Sequence, residues 1–217
     1  MSALFTSYSL GERAVVLQSL DPQISEECQR IIWRIAQQLR EQLCYVDIVP
    51  GMNNLTVLFD PQKFQAQHIL KQLHAFADST KALEFEPREI QIPVKYGGSY
   101  GPDLALVAEH CQLDPDEIIA LHSAGTYLVY FLGFQPGFAY LGGLAPQLTT
   151  PRRAEPRIRI EAGAVGIGGN QTGIYPASSP GGWQIIGQTS VTLFDAKRAQ
   201  PSLLQPGDVV RFIVEHW

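Results

Sequence analysis

Two adjacent arginines, Arg152 and Arg153, stand in Thr150-Pro-Arg-Arg-Ala-Glu-Pro-Arg-Ile-Arg159. That stretch holds four of the eight lysines and arginines that follow residue 88. A guanidinium binds carboxylate or phosphate through a planar fork, so both are candidate anion ligands. A solvated loop partly balanced by Glu155 has the same composition. Ala162-Gly-Ala-Val-Gly-Ile-Gly-Gly-Asn-Gln-Thr-Gly-Ile-Tyr175 is glycine-rich. Small residues expose backbone N–H groups, and such nests hold anions. Gly168, Gly169, Gln171 and Thr172 are therefore candidate ligand-facing positions, with a plain barrel turn as the alternative. Phe131-Leu-Gly-Phe-Gln-Pro-Gly-Phe-Ala-Tyr-Leu-Gly-Gly143 sets Phe134, Phe138 and Tyr140 around a Pro136-Gly137 turn. Ser179-Pro-Gly-Gly-Trp-Gln-Ile-Ile-Gly187 adds Trp183. Phe134, Pro136, Phe138, Tyr175 and Trp183 are candidate walls of an apolar pocket; the same residues suit a core strand and a barrel plug.

His122, beside Ser123, is a candidate acid–base group because imidazole titrates near neutrality. A satisfied histidine at a helix end is the alternative. Asp103, after Gly101-Pro102, is either a site carboxylate or a helix N-terminal carboxylate that favours the dipole. Neither H-E-x-x-H nor G-x-S-x-G occurs, and the five histidines (His68, His74, His110, His122, His216) have no metal spacing. Gly166-Ile-Gly168 is followed by no G-x-G-x-x-G, and the P-loop pattern G-x-x-x-x-G-K-S/T is absent.

The elements that must position these residues fall into two halves. Only Gly11 and Gly51 precede residue 97, which leaves 17 of the 19 glycines for the remainder. The first half reads as α+β. Arg13–Leu17 is a strand, and Asp21-Pro22 opens a helix whose apolar stripe runs from Ile24 through Ile31, Ile35 and Leu39 to Leu43. Tyr45–Val49 and Leu55–Phe59 are strands joined through Pro50-Gly-Met-Asn-Asn54. Asp60-Pro61 opens a second helix, and Glu89–Pro93 returns as a strand, an order that suggests a ferredoxin-like sandwich. The second half begins with helices at Pro102–His110 and from Asp114-Pro115-Asp116-Glu117 to His122. Short strands follow from Tyr127–Leu132 to Val209–Val214, punctuated by glycine and proline, and predict a closed or nearly closed barrel. The boundary falls near residue 88.

Hydrophobic residues make up 45% of the 217 and charged residues 17%, enough to bury a core. A net charge of −5 argues against nucleic-acid binding through bulk charge. No apolar run approaches the ~20 residues that span a bilayer, and Met1–Leu10 does not read as a signal peptide. Cys28, Cys44 and Cys111 are far apart and odd in number, which suggests buried free thiols in a reducing cytoplasm rather than a disulfide or zinc framework.

Taken together, Tyr96-Gly-Gly98, Gly101-Pro-Asp-Leu104, Phe131-Leu-Gly-Phe-Gln-Pro-Gly-Phe138, Thr150-Pro-Arg-Arg153, Val165-Gly-Ile-Gly-Gly169, Gln171-Thr-Gly173 and Ser179-Pro-Gly-Gly-Trp-Gln184 resemble the KipI-like family, also called allophanate hydrolase subunit 1-like. The likeness runs nearly end to end. Glu161, Ala164 and Ala139 depart from it, standing where relatives commonly carry proline, serine and proline. The resemblance implies an N-terminal ferredoxin-like domain over residues 1–88 and a cyclophilin-like β-barrel over 89–217. Members include the B-type subunit of bacterial 5-oxoprolinase, so it implies a cytoplasmic enzyme subunit that works only with partners. Those partners are the KipA-like C-type and the 5-oxoprolinase A-type subunits. The assembly converts 5-oxoproline to glutamate at the expense of ATP, with Mg in the complex. Neither nucleic acid nor membrane is an expected partner. The resemblance also implies two alternatives, a module that inhibits a sensor histidine kinase and a subunit that accompanies urea carboxylase or allophanate hydrolase. Under the enzyme reading, Arg152 or Arg153 holds a carboxylate or phosphate, and the Gly168–Gln171 turn receives an oxyanion. Phe134, Phe138 and Trp183 exclude water.

Overall fold

The computed structural model describes residues 4–21, 23–79 and 86–215. Pro22 and His216 lie outside them. The fold is mixed α/β, with a closed seven-stranded barrel and, among the described residues, four α-helices. The chain divides into two compact units, Met1–Glu86 and Pro87–Trp217.

In the first unit, strands β1 (Phe5–Leu10), β2 (Ala14–Ser19), β3 (Asp47–Gly51) and β4 (Asn54–Leu58) form one antiparallel sheet in the order β1-β2-β4-β3. Side chains alternate across a strand, so Val15 and Leu17 of β2 share a face with their partners Val57 and Leu55 of β4, and all four are fully buried. Helices α1 (Glu26–Glu41) and α2 (Ala66–Ser79) add Ile32, Ile35, Leu39, Ile69 and Leu73 to that core.

Local chemistry moves both helix starts from where the sequence places them. Ser25 caps α1 by accepting the Cys28 N–H at 3.2 Å, whereas Asp21 folds back onto the Gln23 N–H at 2.8 Å. Ile24 consequently lies outside the helix, Leu43 lies beyond its C-cap at Gln42, and both are exposed. Asp60 accepts the Gln62 N–H at 3.0 Å and closes a turn, which delays α2 to Ala66. The strand expected to complete this sheet, Glu89–Pro93, does not pair with it. It extends to Tyr96 as β5 of the second unit, and β1, unforeseen in the sequence, takes the edge beside β2.

In the second unit α3 (Leu104–Cys111) and α4 (Pro115–Ala124) follow β5. Asp114 and Glu117 form a reciprocal capping box at the start of α4. The remaining strands are β6 (Tyr127–Leu132), β7 (Ala139–Gly142), β8 (Arg157–Ile160), β9 (Ala164–Gly168), β10 (Gln171–Ile174), β11 (Ser179–Gly181), β12 (Gln184–Gln188) and β13 (Val209–Val214). Seven of the second unit's strands close the barrel in the order β10-β7-β6-β13-β5-β12-β9, while β8 and β11 pair as a separate ribbon. The parallel β5–β13 pair joins the two ends of the unit, with Ile92 opposite Phe212, both buried. Val107, Ile118, Tyr127, Val165 and Ile186 complete the barrel core.

Candidate functional site

Apart from that core, Phe138, Tyr175, Trp183, Ile160 and Ile185 form a second apolar cluster, with Tyr140 packed against it. Phe138 is its hub. Its ring meets Tyr140 at 5.1 Å, Tyr175 at 5.6 Å and Trp183 at 5.6 Å, each edge to face. Trp183 fits because Gly168 has no side chain: a Cβ there would stand 2.5 Å from the indole. The cluster's Phe138, Tyr140, Tyr175 and Trp183 wall a pocket of about 130 Å³ together with Phe134, Arg152 and Pro180–Gly182. Burial raises the Tyr175 phenol above its usual pKa. The Arg152 guanidinium lies 5.9 Å from the Trp183 ring and, among the described residues, has no carboxylate partner. A small pocket with apolar walls and one cation suits a compact organic anion.

Arg153 is placed differently. Its side chain reaches Asp103 at 3.4 Å, and its backbone N–H donates to the Gly182 carbonyl at 2.7 Å. Arg157 donates to the same carboxylate oxygen at 2.6 Å, and the other oxygen accepts the Ile185 N–H at 2.6 Å. Asp103 stands at the N-cap of α3 but makes no cap hydrogen bond with its side chain. It is buried and ties the arginine loop to the start of β12. Gln184 strengthens the tie by donating to the Pro151 carbonyl at 3.0 Å. The part played by Arg157 has no local signature, since it lies 54 residues from Asp103.

His122 and Thr172 are in the barrel core, not in the pocket. The imidazole is fully buried and stacks on Phe212 at 4.5 Å. Thr172 Oγ1 donates to the Gly166 carbonyl at 2.9 Å, so it accepts from His122 Nε2 at 2.9 Å. That fixes the proton on Nε2 and leaves Nδ1 to accept from the Tyr96 hydroxyl at 2.8 Å. Burial holds the ring at a pKa of about 3, so it is neutral at pH 7. The Gly169 N–H donates to the Thr150 carbonyl at 2.7 Å and is not free for an anion. Gln171 pairs with Gly168 where β9 turns into β10, outside the pocket lining. Pro136 is exposed at its turn, also outside the lining. The structure thus gathers Phe134, Phe138, Tyr175, Trp183 and Arg152, and leaves His122, Thr172, Gly169, Gln171 and Pro136 apart from them.

A larger cleft of about 580 Å³ also opens on this unit, lined by Lys95, Tyr100, Gln188, Ser190 and Glu215 among others. Its one cation already faces Glu215 at 3.9 Å. The aromatic pocket is the better candidate because, of the two, it joins an aromatic enclosure to an uncommitted guanidinium.

A mixed α/β chain with this barrel and this pocket belongs to the carboxyltransferase domain, subdomain C and D, family, whose pattern matches residues 5–204. Over 206 residues it is 53% identical to the B-type 5-oxoprolinase subunit of Escherichia coli O157:H7, covering 95% of this chain and 94% of that one. It is 52% identical over 206 residues to the B-type 5-oxoprolinase subunit of Haemophilus influenzae, covering 95% and 96%. The crystal structure of TTHA0988 superposes with a TM-score of 0.81 at 37% identity; the match covers 94% of this chain and 40% of that longer one.

Proposed function

We propose that this chain serves as the B-type subunit of an ATP-dependent 5-oxoprolinase, which converts 5-oxoproline to glutamate in the cytoplasm. The observation that carries the reading is an aromatic pocket of about 130 Å³ with the Arg152 guanidinium at its wall, in a chain 53% identical to a B-type 5-oxoprolinase subunit. The substrate is a five-membered lactam bearing a carboxylate. Its ring edges suit Phe138 and Trp183, and its carboxylate suits the Arg152 fork. The aromatic rings would keep water from the bound lactam until the ring is activated.

ATP, with Mg, would supply the phosphoryl group that activates the lactam oxygen. This pocket is smaller than the roughly 300 Å³ at which sites for larger ligands begin, so a nucleotide needs room beyond it. The reading gives that room to the partners, the KipA-like C-type and the 5-oxoprolinase A-type subunits. The same reading takes residues 1–88 as a ferredoxin-like domain and 89–217 as a cyclophilin-like barrel. The order β1-β2-β4-β3 fits the first, with β1 standing where a C-terminal fourth strand would lie.

The test is glutamate formation from 5-oxoproline and ATP by this chain with its partners, and by the partners without it. Turnover is expected only with the full set. Undiminished turnover without this chain would sink the reading.

A further inference from the structure

Phe134 is an exposed aromatic residue in a backbone conformation that side chains avoid. Its φ is +67°, and the Gln135 N–H donates to the Gly133 carbonyl at 2.8 Å. An i to i+2 hydrogen bond across a positive φ is the rarer, strained form of the γ-turn. The surrounding loop enforces it. Gly133 and Phe138 close the loop at 3.1 Å, and the Phe138 N–H donates to the Gln135 carbonyl at 3.0 Å. Gly137, at φ +82°, lies so close to Phe194 that a Cβ would meet it at 2.7 Å.

Strain of this kind persists only where the surrounding structure imposes it, and burial of the side chain does not offset it here, since Phe134 remains 62% exposed. Its ring touches only the rim of the aromatic cluster, edge-on to Phe138 at 5.4 Å and to Tyr175 at 6.3 Å. The fold therefore holds a large apolar ring at the pocket mouth with much of its surface in water. Arg152 lines the same pocket.

We propose that Phe134 is a specificity-determining residue that covers a small cyclic carboxylate held by Arg152, and so favours a closed ring over the corresponding open-chain amino acid. The inference rests on the 5-oxoprolinase reading and deepens it. Opening the lactam turns a compact ring with a neutral amide into a flexible chain with an added ammonium and carboxylate. Such a chain loses its packing against Phe134 and must bring strongly hydrated charges beside an apolar ring. The residue thus separates substrate from product.

The experiment uses the assembled complex, with calorimetric binding of 5-oxoproline, cyclopentanecarboxylate and glutamate, and turnover measured on the same preparations. Phe134→Ala removes the ring and keeps the positive φ; Phe134→Gly removes the ring and relieves the strain. Both variants are expected to weaken binding of the two cyclic acids about tenfold and to leave glutamate nearly unchanged. Phe134→Gly should melt no lower than wild type, because relief of strain offsets the lost contacts. Turnover with an unchanged preference for cyclic acids in both variants would overturn the inference. Equal weakening of all three ligands would also overturn it. Ring-selective binding that depends on Phe134, without 5-oxoproline turnover in wild type, would uphold the inference and refute the oxoprolinase reading.

Discussion

His122 makes the barrel sensitive to acid. Its imidazole is held at about 3, against an ordinary value of 6.5. Between those values the unfolded chain binds a proton that the folded chain refuses. The stability contributed by the neutral ring is complete above about pH 6.5 and is lost as pH falls toward 3. From about pH 7 to pH 5 the loss is on the order of 2 kcal/mol. His122→Gln keeps a donor and an acceptor without the titration, so its stability should fall less over that interval. Denaturant melts at the two pH values measure the difference, and parallel losses in variant and wild type would contradict it. The same residue shows where a sequence stops being informative. A histidine poised for acid–base chemistry and a histidine inside a barrel are spelled alike. What separates them is Thr172 and Tyr96 on its two nitrogens, 50 and 26 residues away.

Strands β9 and β10 act on the site by what they omit. Gly168 leaves room for the Trp183 indole, and Gly168→Ala would press a methyl against it at 2.5 Å. The substitution is expected to cost about 1–3 kcal/mol and to raise the KM for 5-oxoproline as the wall shifts. Gly182→Ala meets nothing closer than 3.7 Å and serves as the stability control. Equal melting temperatures for the two variants would contradict this role for Gly168. Strands such as β6 and β13 are legible in sequence because their apolar runs, rich in aromatic and β-branched residues, are marked off by turn residues, Gly133 after β6 and Pro206-Gly207 before β13. Helix α4 was legible through Asp114-Pro115-Asp116-Glu117. The start of helix α1 is ambiguous in sequence because Asp21 and Ser25 are both good caps and only the fold chooses between them. The destination of β5 was illegible for a different reason: its parallel partner, β13, lies about 120 residues further on, with Glu89 opposite Val209. The aromatic walls are legible as residue types, whereas the division of labour between Arg152 and Arg153 turns on Asp103, 50 residues from Arg153 in sequence.

At the scale of the molecule, every pairing of the barrel strands lies within Pro87–Trp217. That segment, produced alone, is expected to give a β-rich spectrum and one cooperative melt. A disordered spectrum without a transition would contradict the division into units. Arg153 and Arg157 hold the loop through Asp103, which leaves Arg152 for the carboxylate of the proposed substrate. Arg157→Ala should therefore lower stability by about 1–3 kcal/mol, since it strips a charged partner from a buried carboxylate. A melting temperature equal to that of wild type would contradict this role.

The most direct measurement is the steady-state kinetics of Arg152→Ala in the assembled complex, with 5-oxoproline varied and assembly confirmed by gel filtration. Arg198→Ala, exposed and facing Asp195 at 3.4 Å, is the control. Losing one charge-assisted contact at the substrate carboxylate should raise KM about ten- to a hundredfold while the melting temperature stays at the wild-type value. An intact complex in which Arg152→Ala retains the KM and kcat of wild type would contradict the account.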